Sequence, residues 1–113
     1  MKKNNENIKI AVIGLGYVGL PIAIELSKFF KVYGYDKKKQ RVRDLVSNID
    51  QTREIESKVL RKTKVIFSDQ EKILKNVNFF IVTIPTPVDK NNLPNLTLLK
   101  ESTRTISKYI KKK

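Results

Sequence analysis

Three glycines, Gly14, Gly16 and Gly19, have the spacing Gly-x-Gly-x-x-Gly and follow a short β-branched run at residues 8–13. A mostly apolar helical pattern starts directly after them. This order of strand, glycine turn and helix is the context in which the pattern binds a dinucleotide. Gly14 would permit the tight turn, Gly16 would let a pyrophosphate approach the backbone, and Gly19 would let the helix pack closely on the sheet. The free N–H groups at the start of such a helix then face the diphosphate.

Asp36 supports this interpretation because it ends the next strand pattern, seventeen residues after Gly19. A carboxylate at this place accepts hydrogen bonds from the adenosine ribose hydroxyls. It would also repel a 2′-phosphate, so the sequence favours NAD over NADP. The lysines at 37–39 supply nearby cations that weaken this preference. The alternative is a glycine turn in an α/β protein that binds no ligand there.

Arg41 lies close to Asp36, at the start of the second helix pattern. Its guanidinium could cover one face of an adenine ring by cation–π stacking. It could equally be an exposed arginine that only increases solubility. The sequence leaves both interpretations open, and we keep Arg41 as a candidate cofactor-binding residue.

The apolar positions of this second helix pattern are Val42, Leu45, Val46 and Ile49, with the spacing i, i+3, i+4, i+7. This spacing predicts a helix with one apolar face. A polar connection follows, in which Thr52 is expected to cap the next short helix.

Two further strand patterns, at residues 64–67 and 78–84, complete an alternation of strands and helices. This alternation predicts a parallel sheet with right-handed crossovers. We predict an α/β, Rossmann-like sheet with strand order 3-2-1-4, incomplete on its C-terminal side. The strand at 78–84 then lies at an edge, although its apolar sequence is typical of a sheet centre. Long apolar edges recruit partners or aggregate, so we expect self-association.

The segment Thr83 to Pro87 follows the last strand and contains Pro85 and Thr86. In the predicted sheet it lies beside the glycine turn, at the carboxyl ends of the strands where ligands bind in open α/β sheets. Since proline fixes φ, the loop should hold Thr86 rigidly over this crevice. We expect it to bound the ribose and nicotinamide half of a cofactor. The alternative is a strand end terminated by proline with no ligand role.

The composition excludes several classes of function. The 113 residues suffice for one small domain and contain no cysteine and no histidine. Disulfides, cysteine metal sites and a thiolate nucleophile are therefore excluded, the commonest neutral-pH acid/base and metal ligand is absent, and we predict no metal site. The net charge of +13 invites a nucleic-acid interpretation, but acids are interspersed and no aromatics interleave with the lysine runs, so we expect no specific nucleic-acid binding. The polar start and the lack of a long apolar run predict a cytoplasmic protein without a membrane partner.

The residues 14–21 (Gly-Leu-Gly-Tyr-Val-Gly-Leu-Pro), Asp36 and residues 82–87 (Val-Thr-Ile-Pro-Thr-Pro) together resemble the N-terminal NAD-binding domain of the UDP-glucose/GDP-mannose dehydrogenase family. Residues 49–54 and 91–97 resemble the branch that acts on UDP-N-acetylhexosamines in polysaccharide biosynthesis, as in Vi-antigen-type pathways. Two positions depart from that branch: Asn48 stands where glycine is usual, and Asn95 stands where aspartate is usual.

The resemblance implies roles for individual residues. In that family the residues that match Gly14, Gly16, Tyr17, Val18 and Gly19 surround the pyrophosphate. The residue that matches Asp36 binds ribose, and those that match Thr83 and Thr86 lie near the cofactor. The family oxidises the C6 alcohol of a nucleotide sugar to a carboxylate through a cysteine-linked intermediate, with NAD as oxidant.

The resemblance also implies what the 113 residues do not supply. The family's catalytic residues, its nucleophilic cysteine and its sugar contacts belong to later segments. We therefore expect residues 1–113 to be the N-terminal part of a Rossmann NAD-binding domain, with the catalytic and substrate domains absent. The expected partners are NAD, a UDP-sugar only through the missing domains, and a second copy or the missing carboxyl-terminal half. An alternative function is a stand-alone NAD-binding module that complements a separate catalytic chain.

Overall fold

The computed structural model describes residues 7–85 and 87–110, and it contains a four-stranded sheet with helices on both faces. The elements in chain order are β1 (Lys9–Ile13), α1 (Gly19–Leu26), β2 (Lys31–Tyr35), α2 (Lys39–Val46), α3 (Ser57–Lys62), β3 (Ile66–Ser68), a 3₁₀ helix (Glu71–Asn76), β4 (Phe79–Val82) and α4 (Thr97–Ser107). No helix within these described ranges has the length and apolar character needed to cross a lipid bilayer.

The sheet has the order β3-β2-β1-β4, and all three strand pairs are parallel. This confirms the predicted order. It places β1 at the centre, between β2 and β4, so the segments that follow these three strands meet at one edge of the sheet. Because that edge carries the carboxyl ends of parallel strands, it is where a ligand-binding crevice is expected.

Each face of the sheet covers its own apolar core, because successive side chains of a strand point to opposite faces. Ile10 and Val12 of β1 face one core, which α1, α2 and α3 cover with the side chains Leu20, Ala23, Ile24, Leu45 and Leu60. Ala11 and Ile13 face the other, where the 3₁₀ helix and α4 contribute Leu74 and Ile106. β1 is therefore buried on both sides and gives the glycine turn that follows it a rigid support.

The start of α1 places Pro21 in the first turn, where a proline is tolerated. Val18 is the N-cap and Pro21 is the third residue of α1, where a missing N–H costs no helical hydrogen bond. The helix ends at Leu26, so Phe29 lies beyond it and is 62% exposed.

The second helix is shorter than the periodicity predicts. α2 ends at Val46, which is exposed, and Ile49 lies outside the helix and is also exposed, so Val42 and Leu45 alone carry its buried face. Asn48 has φ 67° and forms a left-handed helix end, in which Ile49 N–H donates to Asp44 O at 2.7 Å. Glycine is favoured at such a position, and asparagine tolerates it as well.

The prediction that Thr52 caps the helix α3 is wrong. α3 begins after Glu56 without a side-chain cap, and the Thr52 hydroxyl instead donates to Asp50 Oδ1 at 2.6 Å.

Candidate functional site

The glycine loop joins β1 to α1 at the carboxyl edge of the sheet. Gly14 has φ +96°, a conformation that favours glycine, and its N–H donates to Tyr35 O of β2 at 2.9 Å. A Cβ on Gly19 would overlap both Gly14 O and the Thr83 hydroxyl. Gly14 therefore makes the turn and Gly19 allows the start of α1 to contact it.

Gly16 differs from the other two glycines because a Cβ there would meet nothing within 4 Å. It lies on an open side of the loop, followed by Tyr17 and Val18, whose side chains are 67% and 61% exposed. No hydrogen bond from the N–H groups of these three residues is found within the described chain. The start of α1 also has no side-chain cap and no acidic residue in its first turn. A ligand that supplies oxygen acceptors to uncapped N–H groups fits this cradle.

Asp36 follows β2 directly and faces this loop. Its Oδ2 accepts a hydrogen bond from Leu15 N–H at 2.9 Å, and its Oδ1 accepts one from Lys38 N–H at 2.9 Å. The glycine loop and the carboxylate thus share one corner of the molecule, as binding of a dinucleotide requires.

Arg41 projects from the first turn of α2 toward the same corner. Its Nε donates to Leu15 O at 2.7 Å, and its Nη1 forms an ion pair with Asp50 Oδ1 at 2.8 Å. The side chain of Arg41 is 11% exposed, so the interpretation as an exposed, solubilising arginine is wrong. Its Nη2 is buried without a partner among the described residues. The adenine-covering role stays a prediction.

Asp50 is a buried partner of Arg41 that the sequence interpretation missed. Its side chain is fully buried, and besides Arg41 it accepts hydrogen bonds from the Thr52 N–H and hydroxyl and from the N–H groups of Glu54 and Ile55. Burial alone would raise the pKa of Asp50, but these hydrogen bonds outweigh it and lower the pKa to about 2. The sequence signal for this turn was an aspartate two residues before a threonine. This pattern is typical of an Asx-turn, in which the aspartate side chain accepts a hydrogen bond from the backbone two residues later.

Thr83 lies beside the glycine loop. Its N–H donates to Ile13 O at 2.8 Å and its hydroxyl to Gly14 O at 2.7 Å, so it holds the end of β4 against the turn. Pro85 is exposed and lines the same cleft as the glycine loop. Thr86 lies outside the described residues.

These groups line a cleft of about 730 Å³, which is within the usual range for a bound organic molecule. Gly14, Gly16, Asp36, Arg41, Thr83 and Pro85 all contribute to its walls. Its cationic residues outnumber its acids, with Lys37, Lys38, Arg41, Arg104 and Lys108 against Asp36, Glu71 and Glu101. Arg41, Lys37 and Lys108 are ion-paired with Asp50, Glu101 and Glu71, so the small remaining excess of positive charge comes from Lys38 and Arg104 against Asp36 and suits an anionic ligand.

The opposite wall of the cleft comes from α4, which the sequence interpretation did not assign to the site. Leu98, Glu101 and Thr105 of α4 line it. Glu101 pairs with Lys37 at 2.8 Å, and this hydrogen-bonded pairing raises the pKa of Lys37 and lowers the pKa of Glu101.

Comparison with known proteins identifies the type of site. Residues 8–113 match the NAD-binding domain of the UDP-glucose/GDP-mannose dehydrogenase family. The chain belongs to this family. The cofactor of the family domain is NAD, and the uncapped loop, the adjoining carboxylate and the positive cleft fit a dinucleotide.

Relatives agree with this assignment over nearly the whole chain. Protein CapL of Staphylococcus aureus is 39% identical over 104 residues, which are 92% of this chain and 24% of that protein. UDP-N-acetyl-D-glucosamine 6-dehydrogenase of Pseudomonas aeruginosa is 40% identical over 108 residues, 95% of this chain and 26% of that protein. The solved structure of a UDP-D-ManNAc dehydrogenase from Pyrococcus horikoshii matches with a TM-score of 0.81 at 32% identity, covering 91% of this chain and 26% of that one. The chain thus spans about a quarter of the length of these relatives.

Proposed function

We propose that this chain is the NAD-binding part of a nucleotide-sugar 6-dehydrogenase, which oxidises the C6 alcohol of a UDP-N-acetylhexosamine for polysaccharide biosynthesis. The support is the naming of two relatives, UDP-N-acetyl-D-glucosamine 6-dehydrogenase at 40% identity and UDP-N-acetyl-D-mannosamine dehydrogenase of Pyrococcus horikoshii at 32% identity. Residues 1–113 then correspond to the N-terminal part of the NAD-binding domain, and the catalytic and substrate domains lie outside them.

Different residues of the cleft would bind different parts of NAD. The N–H groups of Gly16, Tyr17 and Val18 would bind the pyrophosphate, because they are uncapped and lie on the open side of the loop. Gly14 and Gly19 would make and support this loop. NAD supplies the hydride acceptor when it is bound.

The remaining candidates would bind the two sugar ends of the cofactor. Asp36 would accept hydrogen bonds from the adenosine ribose, with Arg41 beside it at the adenine. Thr83, Pro85 and Thr86 would bound the nicotinamide half.

The observation that carries this proposal is the hydrogen bond from Leu15 N–H to Asp36 Oδ2. It joins the middle of the glycine loop to the carboxylate, so one dinucleotide can contact both. A carboxylate in this position also disfavours a 2′-phosphate, which supports NAD rather than NADP.

Titration of the chain with NAD⁺ and NADP⁺ tests the proposal. Asp36→Asn removes the charge but keeps the shape, and we expect NAD⁺ affinity to fall by about tenfold, the value of one charge-assisted hydrogen bond. Asp69→Asn is the matched control, because Asp69 follows β3 as Asp36 follows β2 but does not line the cleft. Equal affinities for NAD⁺ in both variants would contradict the proposal.

Gly16→Ala tests the pyrophosphate position separately. The added Cβ meets nothing within 4 Å, so the thermal unfolding midpoint should stay near that of the wild type. NAD⁺ affinity should nevertheless fall, because the methyl group occupies the side from which the phosphates approach. Full NAD⁺ affinity in a folded Gly16→Ala chain would place the phosphates elsewhere.

We further propose that the chain alone does not oxidise nucleotide sugars. Its 113 residues contain no cysteine, so they cannot form the covalent intermediate that the family resemblance implies. The purified chain with NAD⁺ and a UDP-sugar should give no NADH absorbance at 340 nm. NADH formation restored by a separate carboxyl-terminal chain would favour the alternative function, a complementing NAD-binding module.

Self-association through β4 is our proposal for a protein partner. Among the described strands β4 pairs with β1 alone, and Phe79 is 55% exposed at this edge. Thr83 N–H donates to β1, so by the alternation of the strand Val82 N–H points to the free edge. Val82→Pro should therefore shift the chain toward monomer in sedimentation velocity, whereas Val82→Thr should not. A wild-type chain that is monomeric at all concentrations would end this proposal.

A further inference from the structure

The peptide groups on both sides of Leu15 are held by charged side chains. Its N–H donates to Asp36 Oδ2 at 2.9 Å, and its carbonyl accepts from Arg41 Nε at 2.7 Å. Leu15 is itself buried between Gly14 and Gly16. The orientation of the central part of the glycine loop therefore depends on one carboxylate and one guanidinium.

The contact to the Leu15 carbonyl also orients Gly16 N–H. The described peptide bonds include no cis form, and in a planar trans peptide the N–H points away from the preceding C=O. Since Arg41 fixes the Leu15 carbonyl, it directs Gly16 N–H to the opposite side, away from the guanidinium. Arg41 thus acts on the pyrophosphate position through the backbone.

A free guanidinium at this corner would have a second effect. Arg41 is permanently charged and lies across Leu15 from Asp36, in the wall of the same cleft. An unpaired cation beside the adenosine ribose would attract a 2′-phosphate and oppose the repulsion from Asp36.

Asp50 removes this free charge. Its Oδ1 pairs with Arg41 Nη1 at 2.8 Å, and the two side chains are 0% and 11% exposed, so solvent screens the pair little. Four further hydrogen bonds, from Thr52, Glu54 and Ile55, fix the carboxylate in place. Asp50 lies outside the cleft lining and would touch no cofactor.

We propose that Asp50 is a positioning residue for cofactor specificity: it neutralises Arg41 and directs it to the Leu15 carbonyl, so that the site accepts NAD and excludes the 2′-phosphate of NADP. This inference rests on the proposed function, because it presumes a dinucleotide in the cleft. It differs from a purely structural role, in which Asp50 only closes the turn of residues 50–55. A structural role affects both cofactors equally, whereas a specificity role changes their ratio.

The ratio of NADP⁺ to NAD⁺ affinity in the full 113-residue chain is the decisive measurement. Asp50→Asn preserves the shape of the side chain and leaves Arg41 with an unpaired charge. We expect the ratio to rise about tenfold in favour of NADP⁺, as one nearby uncompensated charge predicts. Asp44→Asn is the matched control on α2, because Asp44 accepts from Gln40 and lies outside the cleft lining, and its ratio should equal that of the wild type.

The double variant Arg41→Gln with Asp50→Asn separates charge from shape. It removes both charges of the pair, so it avoids the cost of a buried unpaired ion and remains informative if Asp50→Asn alone does not fold. We expect affinity for both cofactors to fall together, because Leu15 loses its guanidinium contact. Their ratio should stay within about twofold of the wild-type value, because no net charge has changed at the ribose.

The outcomes separate this inference from the function on which it rests. A wild-type chain that binds neither dinucleotide overturns both. NAD⁺ binding by the wild type, with an unchanged ratio in a folded Asp50→Asn chain, overturns the specificity role and leaves the proposed function standing. A double variant whose ratio moves away from NADP⁺ overturns it as well, because Arg41 would then offer its charge to the ligand despite Asp50.

Discussion

The two walls of the cleft are each held by an ion pair of the same length, and the pairs differ in their surroundings. Arg41 and Asp50 meet at 2.8 Å with side chains 11% and 0% exposed, and Lys37 and Glu101 meet at 2.8 Å with side chains 72% and 42% exposed. Judged by distance alone, the two ion pairs would contribute equally to stability. Burial decides otherwise, because water and salt screen the exposed pair and barely reach the buried one.

This difference assigns separate roles to the two walls. The buried pair connects Leu15 O to the turn around Asp50, so the glycine loop is joined through Arg41 to a buried hydrogen-bond network. The exposed pair links Lys37 to α4, whose one buried residue within the described chain is Ile106. We therefore call the glycine-loop side the fixed wall, and we expect the α4 side to adjust more easily to a ligand.

Breaking the buried pair should have the largest effect on stability. Arg41→Met keeps the apolar length of the side chain but leaves Asp50 buried without its counter-ion. We expect the free energy of unfolding to fall by about 3–5 kcal/mol, the usual cost of an uncompensated buried charge. Urea unfolding followed by circular dichroism measures it.

The control for this variant is Arg43→Met. Arg43 lies two residues further along α2, is exposed, and contacts Gln40 at 3.4 Å without an ion pair in the described chain. Its substitution should leave the urea midpoint unchanged. Equal losses of unfolding free energy in the two variants would show that the change comes from substituting an arginine on α2, and not from breaking the buried pair.

The contrast between the walls also shows what the sequence could predict. The fixed wall follows from local rules: Gly14, Gly16 and Gly19 each have a steric reason for their place, and Asp36 follows from the end of β2. The order β3-β2-β1-β4 follows from the alternation of strands and helices together with right-handed crossovers. These features depend on local residue patterns or on the right-handedness that parallel crossover connections generally have.

The missed features depend on how the chain turns and packs after a helix or a loop ends. Nothing local to Asp50 reveals that Arg41 will meet it, since the helix end at Asn48 must first turn the chain back toward α2. The exposure of Val46 and Ile49 has the same origin, because periodicity assumes that the helix continues. The α4 wall depends on how a helix packs after a long loop, which no residue pattern specifies.

Lowering the pH should destabilise the fixed wall by less than the Arg41→Met substitution does. The pKa of Asp50 is about 2 in the folded chain, below the ordinary aspartate value of 3.8, so folding favours the ionised form. Its contribution to stability is therefore complete above pH 4 and is lost as the pH falls through about 2. A shift of this size corresponds to roughly 2 kcal/mol.

The measurement is the difference in free energy of unfolding between the wild type and Asp50→Asn, taken at intervals from pH 6 to pH 2. Other carboxylates titrate in both proteins and cancel in this difference. The advantage of the wild type should be constant down to about pH 4 and then decline. A difference that is already falling between pH 6 and pH 5 would mean that Asp50 lacks the strong hydrogen bonds that lower its pKa.

Breaking the exposed pair should have the smallest effect. Lys37→Gln removes the partner of Glu101, but both groups are well solvated, so the unfolding midpoint at physiological salt should match that of the wild type. Lys39→Gln, an exposed lysine outside the cleft lining, controls for the loss of one positive charge. At low salt a small loss specific to Lys37→Gln is expected, because screening is then weaker. A large loss at physiological salt would show that the α4 wall is as firmly fixed as the glycine loop, and the distinction between the two walls would fail.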